Sequence, residues 1–316
     1  MTLAARLARR GREVGTLLGL VALSLLLSAL TPHFLTVSNL LNVMEQTSIN
    51  AVIAVGMTYV IISGGIDLSV GSLLALSGVL LASGLVAGLP PAVAILLGLA
   101  AGATGGLANG LLVTWGRLPP FIATLGTLGI YRGLTLLLTD GIPVANLTHD
   151  FGVLATGTIL RWIPLPLVFV LVTGVLVHLI LNHTKMGRYS YAIGSNREAA
   201  RCCGIQIGFY TVMIYGLGGA LTGLAGMIEA ARLVTGQPTA GDGYELRVIA
   251  AVVIGGGSLS GGQGTVLGTI VGSLIMGLLS NGCNLLGISP FLQQVIIGSV
   301  IVLAVSFDEL QKRRAG

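Results

Sequence analysis

Charged and aromatic side chains are scarce in this sequence. Of its 316 residues, 9% are charged and 5% are aromatic, whereas 54% are hydrophobic. Because an ordinary soluble domain has about 25% charged residues, this scarcity excludes a soluble fold, and most of the surface must face lipid. We therefore expect an all-α integral membrane protein that forms one transmembrane domain over residues 1–316.

Motifs of catalysis and energy conversion are also missing. The sequence contains no Gly-x-x-x-x-Gly-Lys-Ser/Thr phosphate loop, no Gly-x-Ser-x-Gly elbow and no His-Glu-x-x-His motif. Its three cysteines and four histidines show no zinc spacing. We expect no catalytic residue, no metal site and no cofactor bound by this chain. Most predicted spans contain no acid, which weakens an ion-driven transporter without excluding it, since backbone carbonyls could bind sodium.

The basic residues are clustered, and the formal net charge is +5. Short basic clusters between apolar segments follow from the positive-inside rule, which argues against nucleic-acid binding. We expect the N-terminal segment 1–13, the loop 183–206 and the tail 307–316 to be cytoplasmic, which requires an even number of spans. The clusters hold 11 of the 16 basic residues, namely Arg6, Arg9, Arg10, Arg12, Lys185, Arg188, Arg197, Arg201, Lys312, Arg313 and Arg314.

Apolar segments of membrane-spanning length recur along the chain. About 20 residues of helix cross a bilayer, and this criterion predicts about ten spans, some of them broken or half helices. A possible internal repeat places a glycine-rich break at 64–72 after one span and another at 255–262 after a later one, as in many transporters. The spans lie near residues 14–31, 47–63, 68–88, 91–115, 120–138, 164–182, 207–232, 246–259, 264–285 and 290–306.

Glycine is abundant, at 48 residues, and part of it is regularly spaced. Glycines four residues apart lie on one helix face and allow a neighbouring helix to approach closely. We expect two such faces to pack against other helices: Gly98, Gly102, Gly106 and Gly110, and Gly264, Gly268 and Gly272.

The break at 64–72 holds a carboxylate between two apolar segments. Burying a carboxylate there costs free energy unless the group is hydrogen-bonded or in contact with water. Asp67 could cap a helix that begins at Leu68, or it could belong to a gate. The candidate gate or pathway residues are Gly64, Gly65, Asp67, Ser69 and Asn109.

Ionisable residues cluster around a predicted outer turn, Gly236-Gln237-Pro238-Thr239. They could form an ion-pair network that holds the turn, a docking surface for an external partner, or the outer mouth of a pathway. The five are Glu229, Arg232, Asp242, Glu245 and Arg247, and the candidate docking residues are Arg232, Gln237, Asp242 and Glu245.

The stretch from His183 to Gln206 is too polar to span a membrane. Ser195 or Asn196 can cap a short helix there, and Glu198 suits its first turn. This helix could be a cytoplasmic docking element, although the residues alone fit a solvated loop equally well.

Glu198-Ala199-Ala200, followed after three residues by Gly204, resembles the EAA loop of ABC-importer permeases. The match is partial, since Ile214 fits the consensus but Gly216 stands where leucine is expected. Nearly the whole chain is similar to the bacterial ribose-type permease family. The runs that carry this similarity are 64–72, 121–127, 237–241 with 243–246, and 249–256.

The resemblance implies a permease subunit in the bacterial cytoplasmic membrane, surrounded by lipid. Its partners would be a second permease copy in a homodimer, a cytoplasmic ATP-binding subunit that uses ATP and Mg, and an extracytoplasmic sugar-binding protein. The substrate would be a monosaccharide, ribose first, carried by alternating access. The alternative substrates are another pentose or hexose, a furanone signal and a branched-chain amino acid. The alternative class of protein is a self-sufficient secondary transporter. The implied ATPase-coupling helix comprises Ser195, Asn196, Arg197, Glu198, Ala199, Ala200 and Gly204.

Overall fold

Long apolar helices dominate the fold, as the composition predicts. The computed structural model describes residues 3–147, 149–159 and 163–315, and the side chains of 3–13, 149–150 and 307–315 lie outside that description. The basic side chains of the N-terminal segment and of the tail are therefore not placed. The helices are α1 (Leu3–Leu30), α2 (Val37–Ile62), α3 (Val70–Val86), α4 (Pro91–Thr114), α5 (Pro120–Thr139), α6 (His149–Thr156), α7 (Leu165–His183), α8 (Lys185–Ser195), α9 (Arg197–Cys202), α10 (Ile207–Leu233), α11 (Tyr244–Ile254), α12 (Val266–Leu285) and α13 (Pro290–Ala315).

Six of these helices are long and apolar enough to cross a membrane: α2, α4, α5, α7, α10 and α12. Three shorter apolar helical segments, Val14–Leu30, Val70–Val86 and Pro290–Ser306, lie where further spans are predicted. A two-stranded hairpin, β1 (Thr158–Ile159) and β2 (Ile163–Pro164), connects α6 to α7. The described residues thus form an all-α membrane protein that carries a small β-hairpin between α6 and α7.

The predicted span near 246–259 is wrong in its extent. Helix α11 has 11 residues, and at a rise of 1.5 Å per residue it is about 16 Å long. The hydrocarbon core of a bilayer is about 30 Å thick, so α11 alone cannot cross it. The apolar sequence continues to Leu259, but Gly255 ends the helix, and Gly256 adopts a positive φ of 87°.

Helices α2 and α10 form the centre of the bundle and are largely buried. Helix α10 packs along α4 through glycines of both helices: an added Cβ on Gly106 would lie 2.8 Å from the Gly219 Cα. Gly102 and Gly110 also face α10, whereas Gly98 packs on α3. The second predicted face packs against α11, because Gly268 and Gly272 contact residues 251–255. The predicted packing is confirmed for the face on α4 and for Gly268 and Gly272, whereas Gly264 lies in the break before α12 and faces Ile62 and Gly257.

Replacing Gly102 with alanine is expected to lower the free energy of unfolding by about 1–3 kcal/mol, the usual cost of overpacking. The new Cβ would lie 2.5 Å from the Gly219 carbonyl oxygen and 2.7 Å from the Gly223 Cα. Thermal unfolding in detergent measures the loss. Gly126→Ala on α5 is the matched control, since its Cβ would meet nothing within 4 Å. An equal loss in both variants would contradict the assigned packing role.

The two glycine-rich breaks lie in contact, as a helix–break–helix repeat would allow. Residues 63–69 separate α2 from α3, and residues 255–265 separate α11 from α12. The Gly262 N–H donates to the Ile62 carbonyl at 2.8 Å. The breaks therefore meet where α2 ends.

Candidate functional site

Asp67 lies at the centre of a buried polar network in the first break. Its Oδ1 accepts hydrogen bonds from the Ser69 N–H at 2.9 Å and the Ser69 Oγ at 2.7 Å. The Asn109 Nδ2 donates to both Asp67 carboxyl oxygens at 3.3 Å and to the Ser69 Oγ at 2.8 Å. Three of the predicted gate residues, from α4 and from the break, are thus brought together.

Asp67 does not cap a helix that begins at Leu68, because α3 begins at Val70 with Ser69 as its N-cap residue. Its bond to the N–H two residues ahead is an Asx turn, which fixes the chain just before the helix. The cap interpretation is therefore wrong in position, although Asp67 does organise the start of α3.

Neighbouring helices hold the break in place through residues that were not among the predicted gate residues. The hydroxyls of Tyr215 and Thr124 donate to the Ile66 carbonyl at 3.1 and 3.3 Å. The Tyr131 hydroxyl donates to the Gly105 carbonyl at 2.8 Å and to the Asn109 Oδ1 at 3.3 Å. A polar aromatic in a predicted span was the available signal, since a buried tyrosine hydroxyl usually finds a partner.

Gly64 and Gly65 shape the same break. Gly64 has a φ of 79°, which a residue with a side chain rarely adopts. A Cβ on Gly65 would lie 2.6 Å from the Tyr215 hydroxyl, so a side chain there would displace the bond from Tyr215 to Ile66. All five candidate gate residues therefore belong to one structural unit.

The polar stretch 183–206 forms two short helices, α8 and α9, joined at Asn196. Asn196 is extended, and its Oδ1 accepts from the Ala199 N–H at 2.9 Å, which makes it the N-cap of α9. Ser195 instead ends α8. Glu198 lies in the first turn of α9, as predicted, and its carboxyl group is 3.7 Å from Arg201.

Helix α9 projects from the bundle on a small apolar base. Ala200 packs with Ile193 and Ile207, whereas residues 195–199 are exposed. Gly204 follows the helix with a φ of 77°. The seven candidate coupling residues thus lie in and beside α9, and all of them except Ala200 are exposed.

The end of α8 touches both glycine-rich breaks at a glycine junction, formed by Gly64, Gly194, Gly261 and Gly262. A Cβ on Gly194 would collide with the Ile62 carbonyl oxygen and lie 2.6 Å from the Gly262 nitrogen. A Cβ on Gly261 would lie 2.8 Å from the Gly194 oxygen and 3.0 Å from the Gly64 Cα. Because Gly194 is two residues from Asn196, the start of α9 lies close to both breaks.

The ionisable cluster around 236–239 is not the ion-pair network that the sequence suggested. Among the described residues, Asp242 pairs with Arg132 of α5, and no salt bridge joins the five cluster members to one another. The Arg132 guanidinium also donates to the carbonyls of Pro238 and Ala240. Arg132 is a functional candidate that the sequence did not reveal, since it lies over 100 residues away in an apolar span.

The four candidate docking residues are divided by the fold. Arg232 lies in the last turn of α10, and the Gln237 Nε2 donates to the Thr239 Oγ1 at 3.0 Å. Asp242 and Glu245 lie instead at the start of α11. An added Cβ on Gly71 of α3 would be 2.9 Å from the Glu245 Oε2.

Relatives of this chain are membrane permeases. The ribose import permease protein RbsC of Bacillus subtilis (strain 168) is 49% identical over 298 residues, which cover 94% of this chain and 92% of that protein. RbsC of Escherichia coli (strain K12) is 46% identical over 300 residues, 94% of this chain and 93% of that protein. The D-allose transport system permease protein AlsC of Escherichia coli (strain K12) is 37% identical over 301 residues, 94% and 92% of the two chains. No solved structure matches this chain.

These relatives and the six membrane-length helices identify a multi-pass protein of the bacterial inner membrane. A family model described as "Branched-chain amino acid transport system / permease component" matches residues 39–305. The predicted resemblance to ribose-type ABC permeases is confirmed by the identity to RbsC over 94% of the chain. The chain belongs to the family of branched-chain amino acid transport system permease components.

Proposed function

We propose that this chain is the membrane-spanning permease subunit of an ATP-driven importer that carries ribose into the cytoplasm by alternating access. The observation that carries the proposal is the 49% identity, over 94% of the chain, to a ribose import permease. The family description names branched-chain amino acids, but the relatives named above are named for ribose and allose. We therefore favour a monosaccharide, and ribose among monosaccharides.

The proposed assembly contains two copies of this chain, a cytoplasmic ATP-binding subunit and an extracytoplasmic sugar-binding protein. This chain binds no cofactor of its own, and the partner ATPase uses ATP and Mg. The exposed helix α9 is the proposed docking site of the ATPase. Asn196 caps this helix, and Glu198 lies in its first turn. Arg232 and Gln237 are proposed to meet the sugar-binding protein on the opposite face.

The proposed topology places both termini in the cytoplasm. The six membrane-length helices and the three shorter apolar segments are proposed to make nine crossings, with the break 63–69 completing the crossing of α3. The chain from the end of α10 to the end of α11 is proposed to make the tenth crossing, as an irregular stretch followed by a half helix. This arrangement gives the even number that the three basic clusters require.

Ribose uptake by proteoliposomes tests the proposed function. The purified permease, reconstituted with its ATPase and sugar-binding protein, is expected to accumulate ribose only when ATP and both partners are present. Allose, galactose and leucine serve as competing solutes. Preferred uptake of leucine would overturn the sugar assignment, and ribose accumulation by the permease alone on an ion gradient would overturn the ABC mechanism.

A further inference from the structure

The segment between α10 and α11 folds back along α3 instead of remaining at the helix ends. Gly236 exchanges backbone hydrogen bonds of 2.9 Å with Val144, and its added Cβ would lie 2.6 Å from the Ala82 Cβ. Five residues later, Gly241 lies against Gly71, with 2.9 Å between its added Cβ and the Gly71 Cα. At the helical rise of 1.5 Å per residue, Ala82 and Gly71 are about 16 Å apart.

This path places the start of α11 deep in the apolar belt. Helix α11 continues for about 16 Å beyond Tyr244 and ends at the break that contacts Ile62 and Gly194. The start of α11 therefore lies roughly midway between the outer part of α3 and the side that carries α8 and α9. With a hydrocarbon core about 30 Å thick, that position is near the middle of the membrane.

Four charged residues lie at this depth and form what we call the central rim: Arg132, Asp242, Glu245 and Arg247. Arg132 is 17% exposed and bonds to Asp242, whose side chain is 69% exposed. The Arg247 guanidinium carbon lies 5.8 Å from the centre of the Tyr244 ring. An exposed charge at mid-membrane costs about 3 kcal/mol against lipid, so the central rim does not face hydrocarbon.

A second polar feature lies directly behind the central rim. Glu229 of α10 is 7% exposed, and its Oε1 accepts from the Tyr244 hydroxyl at 3.3 Å. Its Oε2 has no hydrogen-bond partner among the described residues. Glu229 lines a cavity of about 10 Å³ with Thr235, Gln237 and Ala240, room for one water molecule. The unpartnered carboxyl oxygen of Glu229 is thus a second polar group at the depth of the central rim.

We propose that the central rim lines the aqueous translocation path and contacts the sugar as it passes. Asp242 and Glu245 offer carboxylate oxygens that accept from sugar hydroxyls, and Arg132 and Arg247 offer guanidinium donors. Such a mixed set suits a neutral, hydroxyl-rich solute. The assignment to a sugar rests on the proposed function, whereas the assignment to a water-filled path rests on the charges and their depth.

Cysteine labelling in the complete reconstituted complex tests this inference. Asp242→Cys is treated with a positively charged, water-soluble methanethiosulfonate, and Leu137→Cys on α5, at a side chain 75% exposed and apolar, is the control. We expect Asp242→Cys to react at least about tenfold faster than Leu137→Cys, because a charged reagent partitions poorly into lipid. The rate should change between the nucleotide-free and the ATP-trapped complex. The wild-type complex gives the background from the three native cysteines.

Leu246→Cys, at a neighbouring side chain 52% exposed, is the second probe, since it leaves the Arg132–Asp242 pair intact. Slow reaction at both probes would mean that lipid or the second copy covers the central rim, and would overturn the inference. A fast rate that nucleotide does not change would assign the segment to a fixed docking surface instead. If ribose is not transported but labelling stays fast and nucleotide-dependent, the proposed substrate fails while the path assignment holds.

Discussion

Gly194→Ala is expected to reduce ribose transport per ATP hydrolysed by about tenfold, within the range that coupling-network mutations reach. The added Cβ would collide with the Ile62 carbonyl oxygen and with the Gly262 nitrogen. It would therefore push the end of α8 away from both breaks, although the exposed face of α9 is unchanged. The ATPase should still bind and hydrolyse ATP, but its movement would be transmitted less efficiently through α8 to the two breaks.

The measurement is the ratio of ribose uptake to phosphate release in proteoliposomes that contain the full complex. Gly208→Ala is the matched control, since Gly208 follows the same polar stretch 183–206 and its Cβ would meet only Thr114 at 3.9 Å. Co-purification of the ATPase in wild-type amounts shows that docking is retained. A wild-type ratio in Gly194→Ala would mean that the glycine junction does not carry the coupling.

Local patterns predicted those parts of the fold that depend on neighbouring residues. The structure has the cap at Asn196, Glu198 in the first turn and the glycine face on α4, all of which follow from helix geometry. On α12 it has Gly268 and Gly272 of the predicted face, whereas Gly264 lies in the break before the helix. Gly255 shows the limit of that approach. Its apolar surroundings continue the hydropathy signal of a span, whereas the helix ends there, at a glycine packed against Gly268 and followed by Gly256 with a φ of 87°.

Contacts between distant residues could not be predicted from one sequence. The bond between Arg132 and Asp242 joins residues 110 positions apart, and the network around Asp67 depends on the register of α4 and α5. Asn109 was a candidate gate residue, but its bonds to Asp67 required the fold. The division of the docking set, with Asp242 and Glu245 beside the start of α3, follows from the return of the chain along α3. No periodic pattern in the sequence indicates that the chain between α10 and α11 returns along α3.

Asp67→Ala is expected to lower the free energy of unfolding by about 2–4 kcal/mol. The change removes the acceptor for the Ser69 N–H, the Ser69 Oγ and the Asn109 Nδ2 in a buried site. Each buried group left without a partner costs about 1–3 kcal/mol, and part of that cost is recovered because the Ser69 Oγ still accepts from Asn109. Thermal unfolding of the purified protein in detergent measures the loss.

Asp67→Asn separates a structural role from a role in gating. Its amide oxygen can still accept from Ser69, but its NH₂ group would face the Asn109 NH₂ group, so a smaller loss of stability is expected. The exchange variant Asp67→Asn/Asn109→Asp restores a donor opposite an acceptor and should recover stability. If the network only fixes the break, transport should recover with it. Recovery of stability without transport would show that the carboxyl group must lie at residue 67, on the break that the glycine junction connects to α9. The exchange therefore decides whether Asp67 holds the gate in place or is itself the part that moves.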